Sequence, residues 1–124
     1  MPSVELSSAN FKEIIAAGGT VIVDFWAPWC APCRSFAPTF EAAADKHVDM
    51  VFAKVNTEEQ QDLAAAFNIR SIPTLMVFRE QIILYAEAGA LPAGAFEELL
   101  GQVRSVDMAQ VRADIAAQEK DATA

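Results

Sequence analysis

The sequence predicts an α/β domain, and three features carry that prediction. Strand and helix patterns alternate along the chain up to about residue 104. Two runs, Thr20 to Trp26 and Met50 to Asn56, are apolar almost throughout, as strands are when helices cover both faces of their sheet. A third run, Leu75 to Phe78, is followed after a short gap by Ile82 to Glu87, the spacing of an antiparallel hairpin. At 124 residues, 53% hydrophobic and 21% charged, the chain has the size and composition of one globular domain whose core needs no staples. No repeat or Gly/Ser linker divides it, and no apolar run approaches the ~20 residues that span a bilayer, so no membrane partner is expected. A net charge of −8 argues against nucleic acid, whose phosphates need clustered Lys and Arg. The start, Met1 to Leu6, lacks the basic and apolar stretches of a secretory leader, so a chain complete as given is expected to be cytoplasmic.

Taken in order, Ser3 to Leu6 fits a short edge strand. Ser7 or Ser8 then caps a helix over 8–17, with Phe11, Ile14 and Ile15 at helical spacing and Gly18-Gly19 ending the pattern. Within the strand 20–26, Asp24 is the exception. Burial disfavours a carboxylate, so Asp24 finds a partner, stays protonated into the neutral range, or marks the strand's end and meets solvent. Its place shortly before a reactive helix favours the reading as a proton carrier. A helix from Cys33 to about Lys46 stacks Phe36 on Phe40 and is kinked at Pro38, with His47 in its last turn suited to the dipole there. Lys54 interrupts the strand 50–56 as Asp24 interrupts its own. Either the two charges answer one another across neighbouring strands or Lys54 faces solvent.

Thr57-Glu58-Glu59-Gln60 has capping-box spacing and, with Leu63, Phe67 and the exit residue Asn68, places a helix over 58–67. Pro73 precedes the strand 75–78, donates nothing to the sheet, and on sequence chemistry alone has only a ~5% chance of a cis bond. The hairpin residues Arg79-Glu80-Gln81-Ile82 include no glycine, which leaves the turn type open. Phe96, Leu99, Leu100 and Val103 place a last core helix over 94–104, weakened at Gly101. Beyond it, Asp107 caps a further helix to about Gln118 in the tail. Met108, Val111 and Ile115 form a narrow stripe there that docks on the domain, meets a partner or frays, docking being preferred.

Chemistry concentrates in Trp29-Cys30-Ala31-Pro32-Cys33-Arg34, which holds both cysteines of the chain. Two intervening residues let the thiols close a small disulfide ring or reopen it. Pro32 suits the first turn of a helix, which puts Cys30 just ahead of unpaired N–H groups and the positive end of the dipole. There the thiolate is favoured over the thiol, and the thiolate is the nucleophile. Cys33, one turn deeper, is placed to attack any mixed disulfide that Cys30 forms. Two cysteines and the single His47 are too few ligands for zinc, so no metal is expected. The plainer alternative is two inert buried cysteines.

The order of elements, with Asp24-Phe25-Trp26-Ala27-Pro28-Trp29-Cys30, Lys54-Val55-Asn56, Ser71-Ile72-Pro73-Thr74 and Gly89-Ala90, resembles the thioredoxin family over about residues 3–104. The resemblance implies a thioredoxin fold, a mixed five-stranded sheet flanked by helices in residues 1–104; the extra C-terminal helix of 105–124 lies outside the common family pattern. It implies Cys30 as the attacking and Cys33 as the resolving cysteine. Asp24, through an ordered water, would help deprotonate Cys33 while Lys54 tunes it. Pro73 would be cis and would present the Ile72 backbone to an extended client segment. Trp29, Ile72, Gly89 and Ala90 would form the apolar patch on which clients and reductase sit, beside Ala31 and Pro32 of the active-site turn. Ala31 stands where the family commonly has glycine, adding a methyl group beside the nucleophile.

The reading that follows is a monomeric protein-disulfide reductase with no cofactor beyond the Cys30–Cys33 pair, recharged by a thioredoxin reductase, an NADPH-dependent flavoprotein. An oxidant or isomerase on the same fold is a second enzymatic reading. A redox-independent client-binding holdase or assembly subunit is the non-enzymatic one, and it leaves Asp24 and Lys54 without a purpose.

Overall fold

The computed structural model describes residues 3–17 and 19–123, without the side chains of the last three; Gly18, Met1 and Pro2, which entered the expectations above, lie outside the described residues. In chain order the elements are β1 (Ser3–Glu5), α1 (Phe11–Ala17), β2 (Thr20–Trp26), α2 (Ala31–Lys46), β3 (Val51–Asn56), α3 (Gln61–Ala66), β4 (Thr74–Arg79), β5 (Ile82–Ala88), α4 (Ala93–Ser105) and α5 (Met108–Thr123). The sheet order is β1-β3-β2-β4-β5, with β1 and β2 parallel to β3, β4 antiparallel to β2, and β5 antiparallel to β4. The mixed five-stranded sheet and the extra C-terminal helix are therefore as expected.

Alternation along β2 explains why its sequence is apolar on both faces. Val21, Val23 and Phe25 pack with Ile15 of α1, Leu63 of α3 and Val55 of β3. Ile22 points the other way, into a cluster with Phe36 and Phe40 of α2, Phe52 of β3 and Phe96 of α4. Phe40, Phe52 and Phe96 are each 1% exposed or less, and their ring centroids lie 5.4 to 6.3 Å apart. Each such burial contributes on the order of 2–3 kcal/mol. Asp24 shares the face of Ile22, so it is aimed at α2 and not at solvent.

Several boundaries move, for local reasons. The helix α2 starts at Ala31 and not at Cys33, because Cys30 itself is the N-cap. It runs as one helix through Pro38 to Lys46. The first turn expected of α1 is instead a turn over residues 8–10, held by the Ser7 N–H donating to Asn10 Oδ1 at 2.7 Å. The capping box at Thr57 is not formed. The Thr57 hydroxyl donates to the Trp26 carbonyl at 3.0 Å, and α3 begins later, after Gln60, with no side-chain cap. The strap from β3 into α3 is thus bonded to the end of β2.

Glu80 and Gln81 close the β4–β5 hairpin with φ of 53° and 67°, a two-residue turn with both residues left-handed. Non-glycine residues adopt this at a cost of ~1–2 kcal/mol each, offset here by the Glu80 N–H donating to the Gly19 carbonyl at 2.8 Å. The tail docks. Met108 is 5% exposed, Val111 and Ile115 are half-buried, and Arg112 pairs with Glu80. Asp107 Oδ1 caps α5 by accepting from the Gln110 N–H at 3.2 Å. The α4–α5 joint is fastened by Arg79 Nη1, which donates to the carbonyls of Val103 at 2.8 Å and Val106 at 3.0 Å.

Candidate active site

Cys30 and Cys33 are joined as a disulfide, with Cα atoms 5.2 Å apart. Cys30 has extended backbone and Ala31 begins the helix, so Cys30 stands as the N-cap beside the first free N–H groups of α2. The Cys33 N–H donates to Cys30 Sγ at 3.2 Å. Once the disulfide is opened, the same donor and the dipole behind it stabilise a Cys30 thiolate. Cys33, inside the first turn, receives no such help. Cys30 is 4% exposed and Cys33 2%, so an incoming sulfur needs a closely fitted approach.

On the same side of the sheet as α2 lies Asp24. It is fully buried, and among the described residues no protein group donates a hydrogen bond to either carboxylate oxygen. Burial pushes its pKa up to about 7; Lys54 pulls it down and Glu41 adds to the rise. Lys54 is Asp24's neighbour in the β2–β3 register, and its side chain is only 16% exposed. The ammonium sits 4.7 Å from the centroid of the Trp26 ring and 3.9 Å from Glu41 Oε2. Lys54 is half-buried and its ion-pair contact is with Glu41, so it acts on Asp24 through space and not by a direct pair.

Of the remaining expected residues, Ile72 is the one shown in contact with the cysteine cluster, packing against Ala27, Cys30 and Cys33. The Ile72–Pro73 bond is cis, and the Pro73 carbonyl accepts from the Gly89 N–H at 2.8 Å, tying the end of β5 to this turn. Gly89 has φ of 112°, a conformation open to glycine and strained for L side chains. Trp29 is 64% exposed, and Ala31, Pro32, Gly89 and Ala90 are exposed as well.

Two participants escaped the sequence reading. Trp29 Nε1–H donates to Glu58 Oε1 at 2.6 Å, and Glu58 is only an intervening residue in the spacing of Thr57 to Gln60. Glu41 lies on the exposed-looking side of α2 in sequence, where nothing marks it as a neighbour of Lys54. His47 is elsewhere: it accepts from Arg104 Nη2 at Nδ1, 2.6 Å away, and so donates from Nε2 to Glu97 Oε1 at 2.8 Å. Among the described residues, no group of three or more His, Cys, Asp or Glu side chains is placed to hold a metal ion.

The family model described as Thioredoxin matches residues 2–102. The chain belongs to the thioredoxin family. It is 48% identical over 120 residues to a protein of Streptomyces coelicolor named putative thioredoxin 2, covering 97% of this chain and 90% of that one. It is 44% identical over 86 residues to a thioredoxin of Mycoplasma genitalium, covering 69% of this chain and 84% of that one. A solved Plasmodium falciparum thioredoxin superposes with a TM-score of 0.75 at 34% identity, over 81% of this chain and 97% of that one. Thioredoxins are themselves a general example of a Cys-x-x-Cys thiol acidified by its position. With the disulfide seated at the head of α2, this thioredoxin-family chain is a thiol–disulfide oxidoreductase, a protein-disulfide reductase. The holdase reading is not favoured. No helix among the described residues is long and apolar enough to cross a membrane.

Proposed function

We propose that Cys30 attacks and Cys33 resolves. The Cys30 thiolate forms a bond to one client sulfur, and the other client sulfur leaves as a thiolate that takes up a proton. Cys33 then loses its proton to Asp24 and attacks Cys30 Sγ, which closes the Cys30–Cys33 disulfide and expels the second client sulfur. The client gains two electrons and two protons, and the pair is left oxidised. The observation that carries this assignment is the Cys33 N–H donating to Cys30 Sγ at 3.2 Å, which singles out Cys30 as the sulfur facing the helix dipole.

Asp24 suits the role of proton acceptor because a base is most useful when its pKa lies near the working pH, and its own is about 7. Lys54 keeps that value from rising further. Trp29, Ile72, Pro73, Gly89 and Ala90, with Ala31 and Pro32, form the surface that receives an extended client segment, whose backbone pairs with that of Ile72. A thioredoxin reductase of the NADPH-dependent flavoprotein type recharges the pair, in a reducing compartment such as the cytoplasm, and the protein works as a monomer with no bound cofactor. Residues 1–104 carry this chemistry and 105–124 are an accessory helix.

Cys30→Ser abolishes disulfide reduction. Cys33→Ser accumulates covalent mixed disulfides with client proteins, seen as reductant-sensitive bands on non-reducing gels. If Cys33→Ser turned over at the parental rate, or Cys30→Ser were the variant that trapped clients, the assignment would be reversed or wrong.

A further inference from the structure

We infer that Glu41 is a positioning residue of the redox cycle: it holds Lys54 away from full pairing with Asp24 and so sets how strongly Asp24 retains a proton. The inference rests on the assignment of Asp24 as the proton acceptor for Cys33. Among the described residues, Lys54 is the one cation acting on Asp24, and it is shared. Its ammonium lies 3.9 Å from Glu41 Oε2, and the same oxygen accepts from the Ser3 hydroxyl at 2.7 Å. Glu41 is thereby anchored to β1, and the Trp26 ring, 4.7 Å from Nζ, supports the lysine from below. Asp24 has no hydrogen-bond donor of its own among the described residues, so its charge is balanced by Lys54 only through space.

The charged groups that bear on the pair come from α2, β1 and the segment ahead of α3. Glu41 comes from α2. Glu5 of β1 stands opposite Lys54 in the β1–β3 register. Glu59, ahead of α3, lines with Glu5, Trp26, Lys54 and Asn56 a cavity of ≈ 280 Å³ that gives the lysine contact with solvent. On β4 the residue paired with Asp24 is Leu75, which carries no charge. Of the three carboxylates, Glu41 alone is in ion-pair contact with Lys54 and acts on Asp24 directly, adding to the effect of burial. Removing its charge has two consequences of one sign. Asp24 loses a repelling neighbour, and Lys54 is freed to turn toward it.

The test is the Glu41→Gln variant, whose side chain is isosteric and 35% exposed, so the fold is preserved. Asp24 is titrated by carboxyl-carbon NMR in the intact chain, with Glu5→Gln as the comparison. Glu41→Gln lowers the Asp24 midpoint from about 7 and Glu5→Gln moves it much less. In stopped-flow measurements the resolving step of Glu41→Gln is roughly twofold faster than the parent at pH 6 and no faster at pH 8, because a weaker base is ionised more often but accepts less readily. An unmoved Asp24 midpoint in Glu41→Gln, or an equal shift in Glu5→Gln, overturns the inference. The Asp24 assignment fails separately, if Asp24→Asn resolves mixed disulfides as fast as the parent at every pH.

Discussion

Replacing Asp24 by Asn stabilises the protein, and by an amount that depends on pH in a defined way. An unfolded aspartate titrates near its ordinary value of 3.8, whereas in the folded chain burial holds Asp24 at about 7. Raising the pH through this interval ionises the unfolded chain first, so unfolding releases a proton and stability falls as pH rises. The contribution is favourable in full below about 4, declines between 3.8 and about 7, and levels off above that. A difference of roughly three pH units at 1.36 kcal/mol each amounts to about 4 kcal/mol lost by pH 8. Asparagine has the shape of the protonated acid and never ionises. Asp24→Asn is therefore expected to exceed the parent by about 4 kcal/mol at pH 8, by only about 2 kcal/mol at pH 5, and by little at pH 3. The comparison is made by urea denaturation of both proteins in the disulfide form. A gap of constant size across this range would show that the carboxylate is not held in its neutral state by burial, and the placement of Asp24 as a proton acceptor would go with it.

The hairpin and the tail yield further expectations. Gln81→Gly relieves a left-handed residue at φ 67° and stabilises the chain by about 1 kcal/mol, read from the urea midpoint; a loss of stability would mean that the turn is not of the double left-handed kind. In the tail, Met108→Ala empties a 5%-exposed site and costs about 2–3 kcal/mol, while Arg112→Ala removes an exposed ion pair and costs less than about 1 kcal/mol, both by the same denaturation assay. The reverse order would show that charge, and not apolar contact, holds α5.

Much of the fold was readable along the chain because it is written in periodicity. The continuous apolar runs of β2 and β3, the i, i+4 pairing of Phe36 with Phe40, and Phe96, Leu99, Leu100 and Val103 in α4 each report a buried face locally. Where a local motif had two possible uses, tertiary contact chose between them. Thr57 has the spacing of a capping box, but the Trp26 carbonyl takes its hydroxyl at 3.0 Å, and α3 starts later for that reason. Glu80 and Gln81 contradict the preference of a tight turn for glycine, yet the hairpin closes on two residues because the strand register on either side demands it. The partner of Trp29, Glu58, carried no sequence signal, since a hydrogen bond across a loop leaves no period to read.

What the sequence determined alone is the reactive pair and its orientation: cysteines three apart, with proline in the first turn, set one sulfur at the head of a helix by short-range geometry. The alternation of β2 likewise obliged Asp24 to share a face with Ile22. What only the tertiary structure decided is the electrical setting of that aspartate. Whether Lys54 met solvent or turned inward, and whether a third charge stood beside it, depended on Glu41 arriving from α2 and Ser3 from β1. Coulomb interactions act between groups remote in sequence, and burial alters their strength, so no reading of neighbours along the chain contains them.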